Sequence, residues 1–128
     1  MRILGIDYGR KKVGVAFSEG FLAEPLRVIK YSSLKSLVEK IKWIVESEGV
    51  ERVVVGISEG EMGKESEEFS RSLGKVLNMP VETFDETLTS KDAQRFSLES
   101  GISRKKRREM EDAYAASLML QNYLDSQG

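Results

Sequence analysis

Three acidic positions stand where the surrounding sequence favours apolar side chains or ordered backbone. Asp7 interrupts the apolar run in "LGIDYGRKKVGVAFS", Asp85 and Glu86 close the run "PVETFDE", and Asp112 lies beside a C-terminal apolar stripe. A carboxylate among apolar neighbours loses hydration unless something compensates it. Three of them within a few ångströms would repel, which raises their pKa values or demands a cation. Oxygen-only ligands suit Mg²⁺ or Mn²⁺. Such sites commonly hold two ions about 3.5–4 Å apart, one activating water and the other stabilising the leaving oxygen of a phosphodiester. The 128 residues include no histidine and no cysteine. That excludes imidazole acid–base chemistry, Ser–His–Asp triads, thiolate nucleophiles and Cys metal sites. Hydrolytic chemistry here must use carboxylates, lysines, hydroxyls or hard metal ions.

Each acid also has an ordinary reading when taken alone. Asp7 can cap its own turn by accepting from the amides of Gly9 or Arg10. Glu86 can be a solvated charge at a strand end, and Asp112 the i+4 partner of Arg108 on a wet helix face. The joint reading is favoured because coincidence would otherwise have to explain all three. Two basic clusters flank the acids: Arg10, Lys11 and Lys12 follow Asp7, and Arg104, Lys105, Lys106, Arg107 and Arg108 precede Asp112. A charge run is ordinarily a solvated face. Beside candidate metal ligands, in a chain of net charge −1, these clusters read as contacts to a nucleic-acid backbone.

The elements that must position these residues follow from hydrophobic period. "RILGIDYG" and "KVGVAFS" read as a hairpin turning at residues 9–12. "EPLRVIKY" reads as a third strand, with Pro25 at its start, where a missing donor is tolerated. Leu34, Leu37, Val38, Ile41, Ile44 and Val45 fall at helical spacing from Ser33, with Gly49 as the stop. "ERVVVGIS" is a continuous β-branched run, as expected of a strand buried on both faces. "GISEGEMGKES" (residues 56–66) reads as a flexible strand-to-helix loop whose glycines could admit a close backbone approach. Phe69, Leu73, Val76 and Leu77 mark a second helix ending near Asn78 and Pro80. "PVETFDE" is a further strand. Thr89 and Asp92 resemble a capping box for a short helix through Ala93 and Phe96, stopped by Gly101. Ser103 is the candidate cap of a last helix with Met110, Ala113, Ser117, Leu120 and Leu124 on one stripe.

The order β-β-β-α-β-α-β-α-α implies a mixed α/β sheet, with parallel crossovers and an antiparallel edge. On the first strand Ile3, Gly5 and Asp7 share a face. Gly5 leaves room for another element, and Ala115 and Ala116 would let the last helix lie close to the sheet. That helix would bring Asp112 toward Asp7. A composition of 40% hydrophobic and 32% charged residues fits one globular domain over residues 1–128. No apolar run approaches the roughly 20 residues needed to span a bilayer. The N-terminus carries no signal-peptide pattern, and the expected compartment is cytoplasmic.

With these residues assembled, the sequence resembles the YqgF/RuvX family of Holliday-junction-resolvase-like proteins. The resemblance rests on "GIDYGRKKVGVAFS", "VVVGISEGEMG", "FDETLTS" and "EDAYAASLML", in that order over nearly the whole chain. It implies a ribonuclease H-like fold: a five-stranded mixed sheet in the order 3-2-1-4-5, with strand 2 antiparallel and helices on both faces. It also implies a metal-dependent nuclease, with Asp7, Glu86 and Asp112 as the carboxylates that hold Mg²⁺ or Mn²⁺. Asp85 is the alternative to Glu86, whose longer side chain suits a reach beyond the strand end. The implied substrate is the 5′ end of the small-subunit ribosomal RNA precursor. A four-way DNA junction is the alternative, and a monomer or weak homodimer is expected. Two departures stand out. Thr87 replaces the arginine of the family's Asp-Glu-Arg motif, and Ser58 and Gly60 stand where the family has proline and asparagine. A non-catalytic RNA-binding module is a further reading. An ATP-binding domain of the actin and sugar-kinase type, which opens on a similar aspartate–glycine hairpin, is disfavoured by chain length.

Overall fold

The computed structural model describes residues 1–85 and 104–127, with residues 104–108 described by their helical backbone. The short helix expected around Ala93 and Phe96, with its Thr89–Asp92 box and Gly101 stop, lies outside the described residues, as does Ser103. The sheet has five strands: β1 (Ile3–Asp7), β2 (Lys12–Ser18), β3 (Ala23–Lys30), β4 (Arg52–Ile57) and β5 (Val81–Asp85). Their order is β3-β2-β1-β4-β5. β2 pairs antiparallel with both β1 and β3, while β4 is parallel to β1 and to β5. This is the order that the resemblance implies.

The central strands are buried on both faces, as their unbroken apolar runs require: Leu4, Ile6, Val53, Val54 and Val55 are each 0% exposed. One face of the sheet carries α1 (Leu34–Glu48) and α2 (Gly60–Leu77). Leu37, Ile41 and Ile44 of α1 and Phe69 and Leu73 of α2 pack there against Leu4, Ile6, Val53 and Val55. The Ser33 side chain accepts from the Ser36 amide at 3.2 Å and caps α1. Arg2 donates to the Glu48 carbonyl at 2.8 Å and satisfies the other end. The opposite face carries α3 (Arg104–Gln127). Ala116, Met119, Leu120 and Tyr123 close there on Ile3, Ala16 and Val54.

Two expectations need correction. Much of the segment read as a loop is helix, because α2 begins at Gly60. The reason lies at Gly63, where an added Cβ would stand 2.1 Å from the Ser58 carbonyl oxygen. The close backbone approach is thus made by the chain to itself, as α2 folds back on the end of β4. Ala115 does not face the sheet either. It packs with Tyr114 in a separate cluster, and the room for α3 comes from Ala116 and from glycines in the strands.

Candidate active site

Asp7 ends β1 at the middle of the sheet, on the face that Ile3 and Gly5 present to α3. Its register partners are Gly14 on β2 and Gly56 on β4, so a glycine stands to either side of the carboxylate in the cross-sheet row. At Gly14 the missing side chain is occupied by α3: a Cβ there would lie 1.8 Å from the Asp112 carbonyl oxygen. One turn pair further along, a Cβ on Gly5 would lie 2.9 Å from Leu120 Cβ. The backbone of α3 therefore rests directly on β2 at the residue paired with Asp7. Asp112 and Asp7 are brought to the same end of the same face, as the sequence led us to expect.

The Asp112 side chain is 32% exposed, and its Oδ2 lies 3.1 Å from Lys12 Nζ. Lys12 shares its face of β2 with Gly14. The i+4 pairing with Arg108 lies outside the described side chains; among the described residues Asp112 has its ion partner on β2, the strand on which α3 rests. Arg10 also has a carboxylate partner. Its guanidinium holds Glu65 of α2 with Nε at 3.0 Å and a second nitrogen at 2.5 Å. That hydrogen bond lowers the Glu65 carboxyl below its ordinary value and raises Arg10 above its own. Two further bonds brace the turn, since the Tyr31 hydroxyl donates to the Gly9 carbonyl and the Tyr31 amide to that of Lys11, at 2.5 and 3.1 Å. Lys11 is exposed at the tip. The first basic cluster is thus a braced turn with two of its three cations on carboxylates.

Asp85 is exposed at the end of β5 and shares a face with Val81 and Thr83. Val81 packs into the core beneath α1 and α2, so Asp85 belongs to the face away from Asp7, which weighs against it as the third ligand. Glu86 lies outside the described residues. Among the described residues no group of three carboxylates is close enough to hold a metal ion; Asp7 and Asp112 supply two positions on one face. Residues 104–108 form the opening turns of α3, which places the second basic cluster on the element that carries Asp112.

The sequence reading missed the lock on α3. Arg52 donates to the Tyr123 hydroxyl at 3.0 Å, that hydroxyl donates to Glu82, and the Tyr123 ring meets Phe84 edge-on with centroids 5.8 Å apart. Burial, then the bond to Glu82, raises the Tyr123 hydroxyl above its ordinary pKa. The only sequence signal was Tyr123 sitting beside the stripe position Leu124. An apolar groove of about 540 Å³ between α1 and α2, floored by Tyr8 and Phe69, opens on the other face of the sheet.

Comparison with known proteins bears on the family and the fold. A family model described as RuvX, Holliday junction resolvase, matches residues 1–126. A protein of Syntrophomonas wolfei is 39% identical over 133 residues, covering 98% of this chain and 94% of its own. One of Thermoanaerobacter pseudethanolicus is 42% identical over 136 residues, covering 99% and 98%. Both are provisionally named pre-16S rRNA nucleases. Among solved structures, Thermus thermophilus RuvC in complex with a Holliday junction superposes with a TM-score of 0.65 at 16% identity, over 99% of this chain and 95% of the other. At that identity the likeness concerns the fold, which is ribonuclease H-like.

Proposed function

We propose, for a chain that belongs to the RuvX family of Holliday junction resolvases, that it is a nuclease hydrolysing phosphodiester bonds with a divalent cation held by Asp7, Asp112 and Glu86. The observation that carries this reading is the seating of α3 on Gly14, which sets the Asp112 backbone against the register partner of Asp7. The donor set fits a hard cation. It is all oxygen, in a chain with no histidine or cysteine, which suits Mg²⁺ or Mn²⁺. Mg²⁺ or Mn²⁺, and a pair of ions rather than one, is the form this takes. When bound, such ions supply an activated water and stabilise the leaving oxygen.

The chain's own residues do the rest. β1 and α3 hold the two carboxylates at fixed spacing, because neither element can move without unpacking the core between them. The braced turn at residues 9–12 and the opening of α3 at residues 104–108 put basic residues on the chain next to Asp7 and on the helix that carries Asp112, where they would meet the phosphates of a polymer. No helix among the described residues is long and apolar enough to cross a membrane. The names carried by the curated relatives favour a structured RNA substrate, the 5′ end of pre-16S rRNA. The family description favours a four-way DNA junction as the second reading. Symmetric resolution of a junction would need two copies of the site and hence a dimer.

The deciding experiment is cleavage of a precursor-rRNA fragment and a four-way DNA junction, with Mg²⁺ or Mn²⁺, by wild type and Asp7→Asn. Metal-stimulated RNA cleavage that Asp7→Asn abolishes, with an unchanged melting curve, is the expected result. Undiminished cleavage by Asp7→Asn overturns the cation assignment, and cleavage of the junction alone transfers the assignment to DNA.

A further inference from the structure

Lys12 is placed to do something other than meet phosphate in the free protein. Its Nζ lies 3.1 Å from Asp112 Oδ2, the carboxylate assigned above to the divalent cation, and the inference drawn here rests on that assignment. The geometry is constrained from both sides. Asp112 cannot withdraw, because its carbonyl is packed on the bare backbone of Gly14. Lys12 sits two residues before that glycine on the same face of the same strand, so its stem is aimed along the strand at the place where α3 touches down. The pair is accessible: the Lys12 side chain is 51% exposed and that of Asp112 is 32% exposed. Ion pairs so placed are weak and exchange readily.

A second cation lies beside it. Lys30 of β3 is the register partner of Lys12, and both line one cleft with Val28 and Glu109. Two ammonium groups facing each other across a strand pair repel. Asp112 relieves that repulsion as long as it holds Lys12. A divalent ion on Asp112 would remove the carboxylate charge from Lys12 and repel the ammonium at the same time. The ammonium would then stand beside Lys30 in a cleft whose one other charged wall residue among those described is Glu109, so that two cations face one carboxylate and the balance suits a phosphodiester anion.

We propose that Lys12 is a resident cation on Asp112 which a bound divalent ion displaces, and that the released ammonium, beside Lys30, takes a phosphate of the substrate strand. Lys12 is therefore a positioning residue that couples metal loading to substrate binding. In the empty site it offsets the repulsion between the carboxylates. In the loaded site it adds to the grip on the polymer.

The test is calorimetric titration of Mn²⁺ into wild type, Lys12→Met and Asp112→Asn, with no nucleic acid present. A thermal melt of each confirms folding, and Lys12→Gln replaces Lys12→Met should the latter fail to fold. Removing the competing ammonium should tighten Mn²⁺ binding by roughly threefold to tenfold, the opposite of what mere damage to the site would do. In parallel, the affinity for a phosphorothioate hairpin RNA is measured by anisotropy in EDTA and in Mn²⁺. The gain that Mn²⁺ gives wild type should be roughly threefold or more smaller in Lys12→Met. If Lys12→Met binds Mn²⁺ as wild type does or more weakly, while Asp112→Asn loses it, the coupling is wrong and the cation site stands. If wild type binds no Mn²⁺, or Asp112→Asn binds it as wild type does, the cation site itself is wrong and the coupling falls with it.

Discussion

Replacing Gly14 by alanine tests the central geometric statement, that α3 is seated on bare backbone. The added Cβ would lie 1.8 Å from the Asp112 carbonyl oxygen, 2.2 Å from its carbon and 2.8 Å from the Ala113 nitrogen. All three are main-chain atoms, so no side chain can rotate away. To reach 3.0 Å, below which real Cβ contacts essentially do not occur, the helix must retreat by roughly 1.2 Å, and overpacking of this kind costs about 3 kcal/mol. For a chain of this length the melting temperature should fall by roughly 10 °C. The same retreat carries Asp112 away from Asp7. A misplacement of about 1 Å near reacting groups lowers turnover on the order of 100-fold. Gly5→Ala is the matched control. Its Cβ meets Leu120 side-chain atoms, the nearest at 2.9 Å, and these can give, so the cost should be nearer about 1 kcal/mol. The assay pairs thermal melts with single-turnover, metal-dependent cleavage at a temperature where both variants are folded. A Gly14→Ala protein that melts and cleaves like wild type, or a Gly5→Ala protein that suffers more, would refute the seating of α3.

Three further outcomes follow from other contacts. Glu65→Gln removes the negative charge that Arg10 holds. Because the Glu65 carboxyl is held below its ordinary value of 4.5 in the folded chain, its contribution is complete above that pH and is lost as pH falls through the lower folded value. Melts should therefore show wild type above Glu65→Gln at pH 7 and the gap closing in acid; a gap that persists or widens in acid contradicts the pairing. Tyr123→Phe leaves Arg52 and Glu82 facing each other at 3.8 Å without the bridging hydroxyl. It should cost about 1–2 kcal/mol in urea denaturation at an unchanged slope, and a neutral result would remove that network from the account of how α3 is held. Gly63→Ala places a carbon 2.1 Å from the Ser58 carbonyl oxygen. Amide exchange should quicken at the junction of β4 and α2 and stay as in wild type in α3; uniform exchange would contradict a local clash.

The strands and α1 were legible because each carries a local signal: alternation in β1 and β2, the β-branched run of β4, a serine cap and a glycine stop around α1. The start of α2 carried none. Gly60 and Gly63 argue for a loop on propensity, and the fact that overrides them, contact with Ser58, is invisible until the chain has turned. The site divides the same way. Asp7 and Asp112 could be picked out as acids against apolar patterns, since the cost of burying charge leaves a trace in sequence. Their pairing partners could not. Arg10 meets Glu65 from 55 positions away, and Lys12 of β2 meets Asp112 of the helix that rests on it. A basic residue next to a candidate ligand looks the same in sequence whether it awaits phosphate or already holds a carboxylate. The roles of Gly5 and Gly14 were half legible: closeness could be anticipated, but not that a main-chain carbonyl would fill the space at Gly14.

The outer strand β3 carries a consequence of its own. Val15 pairs with Arg27 and Ala16 with Pro25, so Leu26 is an extra residue bulged from the ladder, and Pro25 beside it has no amide to donate. A flat, fully furnished margin would invite a neighbouring molecule to add its own strand there. This margin is bent at one residue and lacks a donor at the next, so crowding inside a cell should not recruit it into fibres.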